Sequence, residues 1–258
     1  MPPPNFPNKH QLAAILNPSD IISYRQRLGR LPEMGGISNI LFSLDRSIPL
    51  KMRWRIPIRK AGGMIGDLYL VKKPRDRVGV MVNMGGGSPI VVELAEEFAA
   101  LGFKRMALMT WGGSLQPDLV AGDIVVCSQA IRDEGTSYHY LPPEKLVSAD
   151  PVLVGRMAEA IQKHGGTCSV GTTWTTDAPY RETAAEVIQY QSEGVKTVEM
   201  ESAGLFTVGK VRNIQTVSVV VIMDSLAKLR WEVPDRLDGI LKSLEIVYLA
   251  AIDVLSQP

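Results

Sequence analysis

Apolar positions along the chain switch between two periods. Short apolar runs at Asn39 to Phe42, Gly79 to Asn83, Arg105 to Thr110, Ile124 to Cys127 and Thr167 to Thr172 predict strands. The run Thr216 to Met223 is almost wholly β-branched or apolar, which suits a strand buried on both faces. Between these, Val91, Leu94, Ala95, Phe98 and Leu101 recur at helical spacing, with Ser88 as the expected N-cap and Pro89 as the first helical residue. Asp150-Pro151 predicts the start of a helix running to about His164, and Thr183 to Ser192 predicts another. Leu237, Ile240, Leu241, Leu244, Val247, Tyr248, Ala251, Ile252 and Leu255 mark a long amphipathic C-terminal helix. Lys51, Arg53 and Arg55 alternate with Met52, Trp54 and Ile56, the pattern of a half-exposed strand. The Pro-rich residues 2 to 9 predict an extended segment at the start of an N-terminal arm reaching residue 35. Alternating strands and helices predict an α/β layer fold with a largely parallel central sheet.

Composition narrows the function classes. A chain of 258 residues with 45 % hydrophobic content suits one large domain spanning 1–258. The net charge of +1 gives no electrostatic footprint for nucleic acid. No apolar run is long enough to cross a bilayer, and the opening Met-Pro-Pro-Pro-Asn-Phe-Pro lacks the basic head and apolar stretch of a secretory signal. Cys127 and Cys168 lie far apart, and His10, His139 and His164 form no zinc pattern. The expectation is a cytoplasmic protein that binds neither metal nor cofactor.

Several stretches carry groups capable of chemistry. Gly85-Gly86-Gly87 between a strand and a helix start leaves N–H groups free for an anion, although a tight turn explains it equally well. Asp224 stands where the apolar Thr216–Met223 strand ends, the edge at which α/β sheets collect ligands; an N-cap is its plainer role. In Val198-Glu199-Met200-Glu201-Ser202-Ala203, two acids flank a methionine where a strand meets a helix. Such a carboxylate can accept two sugar hydroxyls, or serve only the helix dipole. The run Trp174 to Glu182 mixes aromatic, hydroxyl and charged groups and offers a surface on which a flat base could stack. Lys51, Arg53, Arg55, Arg59 and Lys60 read as a solvated face or an anion site.

Taken in order, these stretches resemble the nucleoside phosphorylase superfamily, and its uridine phosphorylase-like branch in particular. The resemblance runs from about residue 80 to about 230. Gly-Gly-Gly-Ser-Pro at 85–89, Gly113-Ser114-Leu115-Gln116-Pro117 with Gly122-Asp123-Ile124-Val125, and Val198-Glu199-Met200-Glu201 are similar to superfamily signatures. Ala130 to Tyr140 and Thr176 to Glu182 are similar to the named branch. The resemblance implies a three-layer α/β/α sandwich with a mostly parallel mixed sheet and a homo-oligomer built from dimers, often a hexamer. It also implies a nucleoside and phosphate as substrates. On this footing Glu201 binds the ribose hydroxyls, Met200 packs under the sugar and Glu199 lies beside it. Pro179 and Tyr180, with Arg181 next to them, wall the base, and Asp224 donates a proton or hydrogen bond to it. Thr110 and Trp111 lie near the sugar and its nucleophile.

The departures concern the anion. Leu108 and Trp111 occupy positions where the family usually has an arginine and a hydroxyl residue, and Phe42 to Arg46 replaces its Gly-Asp-Pro loop. Met223 replaces a serine, and the pyrimidine-selective Gln and Arg pair is not recognisable after Tyr180. Gly86, Arg53 and Arg55 become the candidate phosphate contacts, the arginines reaching a neighbouring subunit. Three readings follow: a nucleoside phosphorylase, a nucleosidase using water, and a non-catalytic nucleoside binder.

Overall fold

The computed structural model describes residues 6–73, 75 and 77–257. The apolar runs form strands as expected: β1 (Asn39–Ser43), β4 (Val78–Val82), β5 (Arg105–Ser114), β6 (Ile124–Asp133), β8 (Cys168–Thr176) and β10 (Gln215–Ser225). β5, β6 and β8 outrun their apolar runs, their ladders continuing to Ser114, Asp133 and Thr176, and the end of β5 lines a cavity. β9 (Thr197–Glu199) is the strand expected to lead into the helix at Val198–Ala203, whereas three strands among the described residues were not anticipated: β2 (Ile58–Met64), β3 (Gly66–Val71) and β7 (Leu146–Ser148). The helices are α1 (Pro18–Arg27), α2 (Ser47–Lys51), α3 (Ser88–Ala100), α4 (Pro151–Lys163), α5 (Ala184–Ser192), α6 (Ser202–Arg212) and α7 (Asp238–Ser256).

Local chemistry explains most helix starts. Asp150 caps α4 by accepting from the Leu153 N–H, and Thr183 with Glu186 forms a capping box at α5. Ser88, the expected N-cap of α3, is instead its first residue. Gly87, at φ 96°, takes the cap position, and the Ser88 hydroxyl donates to the Met200 carbonyl.

Three further expectations are corrected. Residues 51–56 are not a strand: α2 runs into a 3-10 turn at Met52–Trp54. The buried side chains there are Met52 and Ile56, four apart, while Trp54 is exposed, so the burial period is helical. Within the arm to residue 35, the described part is not simply extended, since a 3-10 turn at Lys9–Gln11 precedes α1. An ion pair of Arg25 with Glu97 ties α1 to α3. Residues 2–5 of the predicted extended segment lie outside the described residues.

The third correction concerns the sheet. The ten strands join in one mixed sheet with five parallel and five antiparallel pairings, rather than a largely parallel one. It also closes on itself in part. β10 pairs with both β5 and β6, β6 with β8, β8 with β9, and β9 with β5, which makes a five-stranded ring with β1, β4, β3 and β2 extending from it. The core lies between this sheet and the helices, with Phe42, Phe98, Phe206 and Tyr248 among its largest buried side chains. Closure draws the ends of β5, β9 and β10 to one place: Gly113 pairs with both Val198 and Asp224.

Candidate active site

Those three strand ends open on a cavity of about 720 Å³. Its lining includes Thr110, Trp111, Pro179, Tyr180, Glu199, Met200, Glu201 and Asp224, eight of the residues singled out in the sequence. Leu44, Glu182, Arg230 and Trp231 complete the part that bears on chemistry.

The two acids of the Val-Glu-Met-Glu run have separate environments. Glu199 ends β9 and is 4 % exposed. Its Oε2 accepts the N–H groups of Glu201 (2.8 Å) and Ser202 (2.7 Å), and its Oε1 accepts the Thr175 (2.6 Å) and Thr173 (3.3 Å) hydroxyls. Every acceptor direction is occupied, and the carboxylate sits on the first turn of α6, where the helix dipole favours it. Burial raises its pKa, against the Thr175 hydroxyl and the Glu201 and Ser202 N–H groups, which lower it.

Glu201 is held from one side only. Its Oε1 accepts the Gly87 N–H at 2.7 Å, and its Oε2 lies 3.3 Å from the Thr110 hydroxyl. The glycine-rich turn therefore serves the acid, and the Gly87 N–H is not free for an anion. A Cβ at Gly86 would crowd Glu201 Oε1 at 3.2 Å, so the glycine leaves the carboxylate its place. Burial, with the neighbouring Glu199 charge second, pushes the Glu201 carboxyl up to about 7.

Asp224 sits just past a register shift in β10, between Ile222 and Asp224. That irregularity re-aims the side chain where the strand leaves the sheet. Its Oδ2 accepts the Trp231 indole N–H at 3.0 Å, and its Oδ1 packs on Gly113, where a Cβ would come within 2.7 Å. Asp224 is no N-cap. The chain turns back instead, and Ser225 and Glu232 exchange backbone hydrogen bonds that place Trp231 over the carboxyl. Leu229 at the tip has φ 58°, a left-handed conformation costly for a branched side chain.

Glu182, Arg230 and Trp231 were missed as site residues. Glu182 lay in plain view inside the Thr176–Glu182 run, but Arg230 and Trp231 carry no local signal. Burial, then the charges of Asp224 and Glu186, pushes Glu182 up to about 7. The remaining expected residues lie elsewhere. Arg181 is exposed and outside the cavity lining, as are Arg53 and Arg55 on the 3-10 turn after α2. Arg59 pairs with Glu33 at 3.3 Å beside a separate shallow depression. Leu108 is buried in the core. Arg230 is thus the one cation in the lining among the described residues, and its guanidinium bonds Glu232 at 2.6 Å.

A partly enclosed cavity with flat aromatic walls, a buried carboxylate open on one side and a second carboxyl fixed at a strand end can hold a polyhydroxylated ring and a planar group together. The chain is 30 % identical over 142 residues to a uridine phosphorylase of Salmonella typhimurium, covering 50 % of this chain and 56 % of the relative. It is 27 % identical over 154 residues to a uridine phosphorylase of Treponema pallidum, covering 55 % and 60 %. It is 25 % identical over 144 residues to a guanosine phosphorylase of Halorubrum lacusprofundi, covering 56 % and 60 %. The matched part spans a little over half the length of these curated relatives. The sequence profile of the phosphorylase superfamily matches residues 53–252, which include all of the cavity lining except Leu44, and the chain belongs to that superfamily.

Proposed function

We propose that the chain cleaves the N-glycosidic bond of a nucleoside, uridine or a related one, with phosphate as co-substrate, releasing free base and ribose 1-phosphate. The observation that carries this reading is the pairing of Glu201 and Asp224 in one cavity, Glu201 anchored by Gly87 and Thr110 and Asp224 by Trp231. Glu201 takes the 2′ and 3′ hydroxyls, Met200 supports the sugar, and Glu199 holds the turn that presents Glu201. Tyr180, Pro179 and Trp231 flank the base. As the C1′–N bond breaks, positive charge grows on the sugar and negative charge on the base. A carboxylate gripping the sugar favours the first, and a hydrogen bond or proton at the Asp224 end relieves the second. No cofactor enters this scheme. A homo-oligomer built from dimers brings Arg53 and Arg55 of a neighbour to the phosphate, and the cytoplasm is the expected compartment.

The lining favours a second reading at the nucleophile. A dianion needs cationic or N–H donors. Leu44 and Trp111 are apolar, Gly87 is engaged with Glu201, and Arg230 is engaged with Glu232. Water is the nucleophile this lining accepts without help from a second chain. Incubation with a nucleoside panel, with and without phosphate, tests both. Ribose 1-phosphate formed only with phosphate supports phosphorolysis, free ribose supports hydrolysis, and no free base in any arm discards both.

A further inference from the structure

Glu182 follows the 3-10 turn Pro179–Arg181 and precedes the Thr183 cap of α5, so its backbone is pinned on both sides. It lines the cavity that Tyr180, Asp224 and Trp231 also line, near enough to Asp224 to feel its charge. Nothing ties the carboxyl down: only burial and the negative charges of Asp224 and Glu186 bear on it, with no hydrogen-bond donor among the described residues. Asp224 is the opposite case, clamped between the Trp231 indole and Gly113. The other ionisable groups facing this space are Glu199, Glu201 and Arg230, the last paired with Glu232; Arg181 stands outside it and exposed.

We propose that Glu182 carries the proton received by the departing base, with Asp224, held by Trp231, as the fixed partner that orients that base. This rests on the glycosidic reading above and deepens it. In the step, the pair of electrons of the C1′–N bond passes to the base nitrogen. The Glu182 O–H breaks, its proton forms the new N–H, and the attacking oxygen, of phosphate or of a water that sheds one proton to the solvent, bonds C1′. Glu182 is left as a carboxylate facing Asp224, and like-charge repulsion between them draws a proton back from water. Burial and the same repulsion, which push Glu182 up to about 7, keep the proton available near neutrality.

The test compares wild type with Glu182→Gln on two substrates: a nucleoside cleaved in the panel, and 4-nitrophenyl β-D-riboside, whose leaving group departs without a proton. With the nucleoside, wild-type kcat/KM is expected to be bell-shaped about pH 7, with a rising limb as Glu201 ionises and a falling limb as Glu182 loses its proton. Glu182→Gln is expected to lose the falling limb and ~10²-fold in turnover. With the nitrophenyl riboside, the variant is expected to match wild type. An unchanged limb and rate on the nucleoside overturns the assignment, and so does an equal loss on both substrates, which marks a structural role. Wild type inactive on both removes the glycosidic reading itself, and this inference with it.

Discussion

Glu199 and Glu201 stand two residues apart and perform different tasks, and the difference lies in who reaches them. Glu199 receives four donors from β8 and the start of α6, so its function is to hold the bend. Glu199→Gln sets an amide NH₂ against N–H donors and is expected to cost about 2 kcal/mol or more of stability, read from the denaturant midpoint. Glu201 keeps acceptor capacity towards the cavity. Glu201→Gln should lower turnover and narrow the preference for ribosides over 2′-deoxyribosides; a variant that discriminates as the parent does leaves Glu201 without that role. The pH sign follows from its raised pKa. Glu201 is neutral below about 7 and a carboxylate above it, so sugar affinity is expected to strengthen as pH rises through that value, in titrations of KM. Folding bears the reverse sign: a folded pKa above the ordinary value of 4.5 means stability is lost as pH climbs towards about 7. The Val-Glu-Met-Glu run made both acids legible in the sequence. Their division of labour was not, because Thr173, Thr175, Gly87 and Thr110 come from strands and turns far away in the chain.

At the scale of elements, the strand ends do the positioning. β5, β9 and β10 meet so closely that Gly112 faces the Val198 carbonyl, where a Cβ would stand at 2.3 Å, and Gly113 faces Asp224 Oδ1. Gly112→Ala collides with backbone and is expected to destabilise the fold. Gly113→Ala collides with a side-chain carboxyl, which can move. Its expected effect is therefore catalytic, a loss of roughly ten-fold or more in kcat with the thermal midpoint little changed, because small misplacements of a catalytic group are costly. Activity at the parental level would show that the Gly113 contact does not set the Asp224 position. Asp224→Asn, which keeps the shape, should lose ~10²-fold. The apolar runs behind these strands were readable because burial on both faces leaves a continuous hydrophobic signature. The hairpin of β2 and β3 was not, since its Gly-rich, partly exposed residues carry no clean alternation. Nor was the turn that swings Trp231 over Asp224, whose residues are mostly exposed and hold their place through pairing across the turn.

The whole molecule presents a contrast between a cavity lined by four carboxylates, Glu182, Glu199, Glu201 and Asp224, and the single cation, Arg230, in that lining among the described residues. No helix among the described residues is long and apolar enough to cross a membrane. The arm before β1 nevertheless exposes Phe6, Leu12, Ile15 and Leu16, apolar area that association with another copy would cover. Arg53 and Arg55 flank the exposed Trp54 and form no ion pair among the described residues, so their charge is available to a neighbour. If self-association delivers them to the cavity of an adjoining subunit, they replace the arginine whose place Leu108 takes, and phosphate becomes the nucleophile. The double variant Arg53→Ala/Arg55→Ala then raises the KM for phosphate by roughly ten-fold or more, the worth of one or two charge-assisted hydrogen bonds. The KM for the nucleoside and the sedimentation coefficient should hold, because neither residue lines the cavity within its own chain. The response to phosphate should also weaken with salt in the parent and less so in the variant, as expected for a partly exposed cation. A phosphate KM unmoved by the double variant, in an enzyme that still needs phosphate, rules these arginines out and leaves Arg230 as the cation to test. Turnover indifferent to phosphate in parent and variant alike assigns the bond cleavage to water, the nucleophile that Leu44 and Trp111 leave room for.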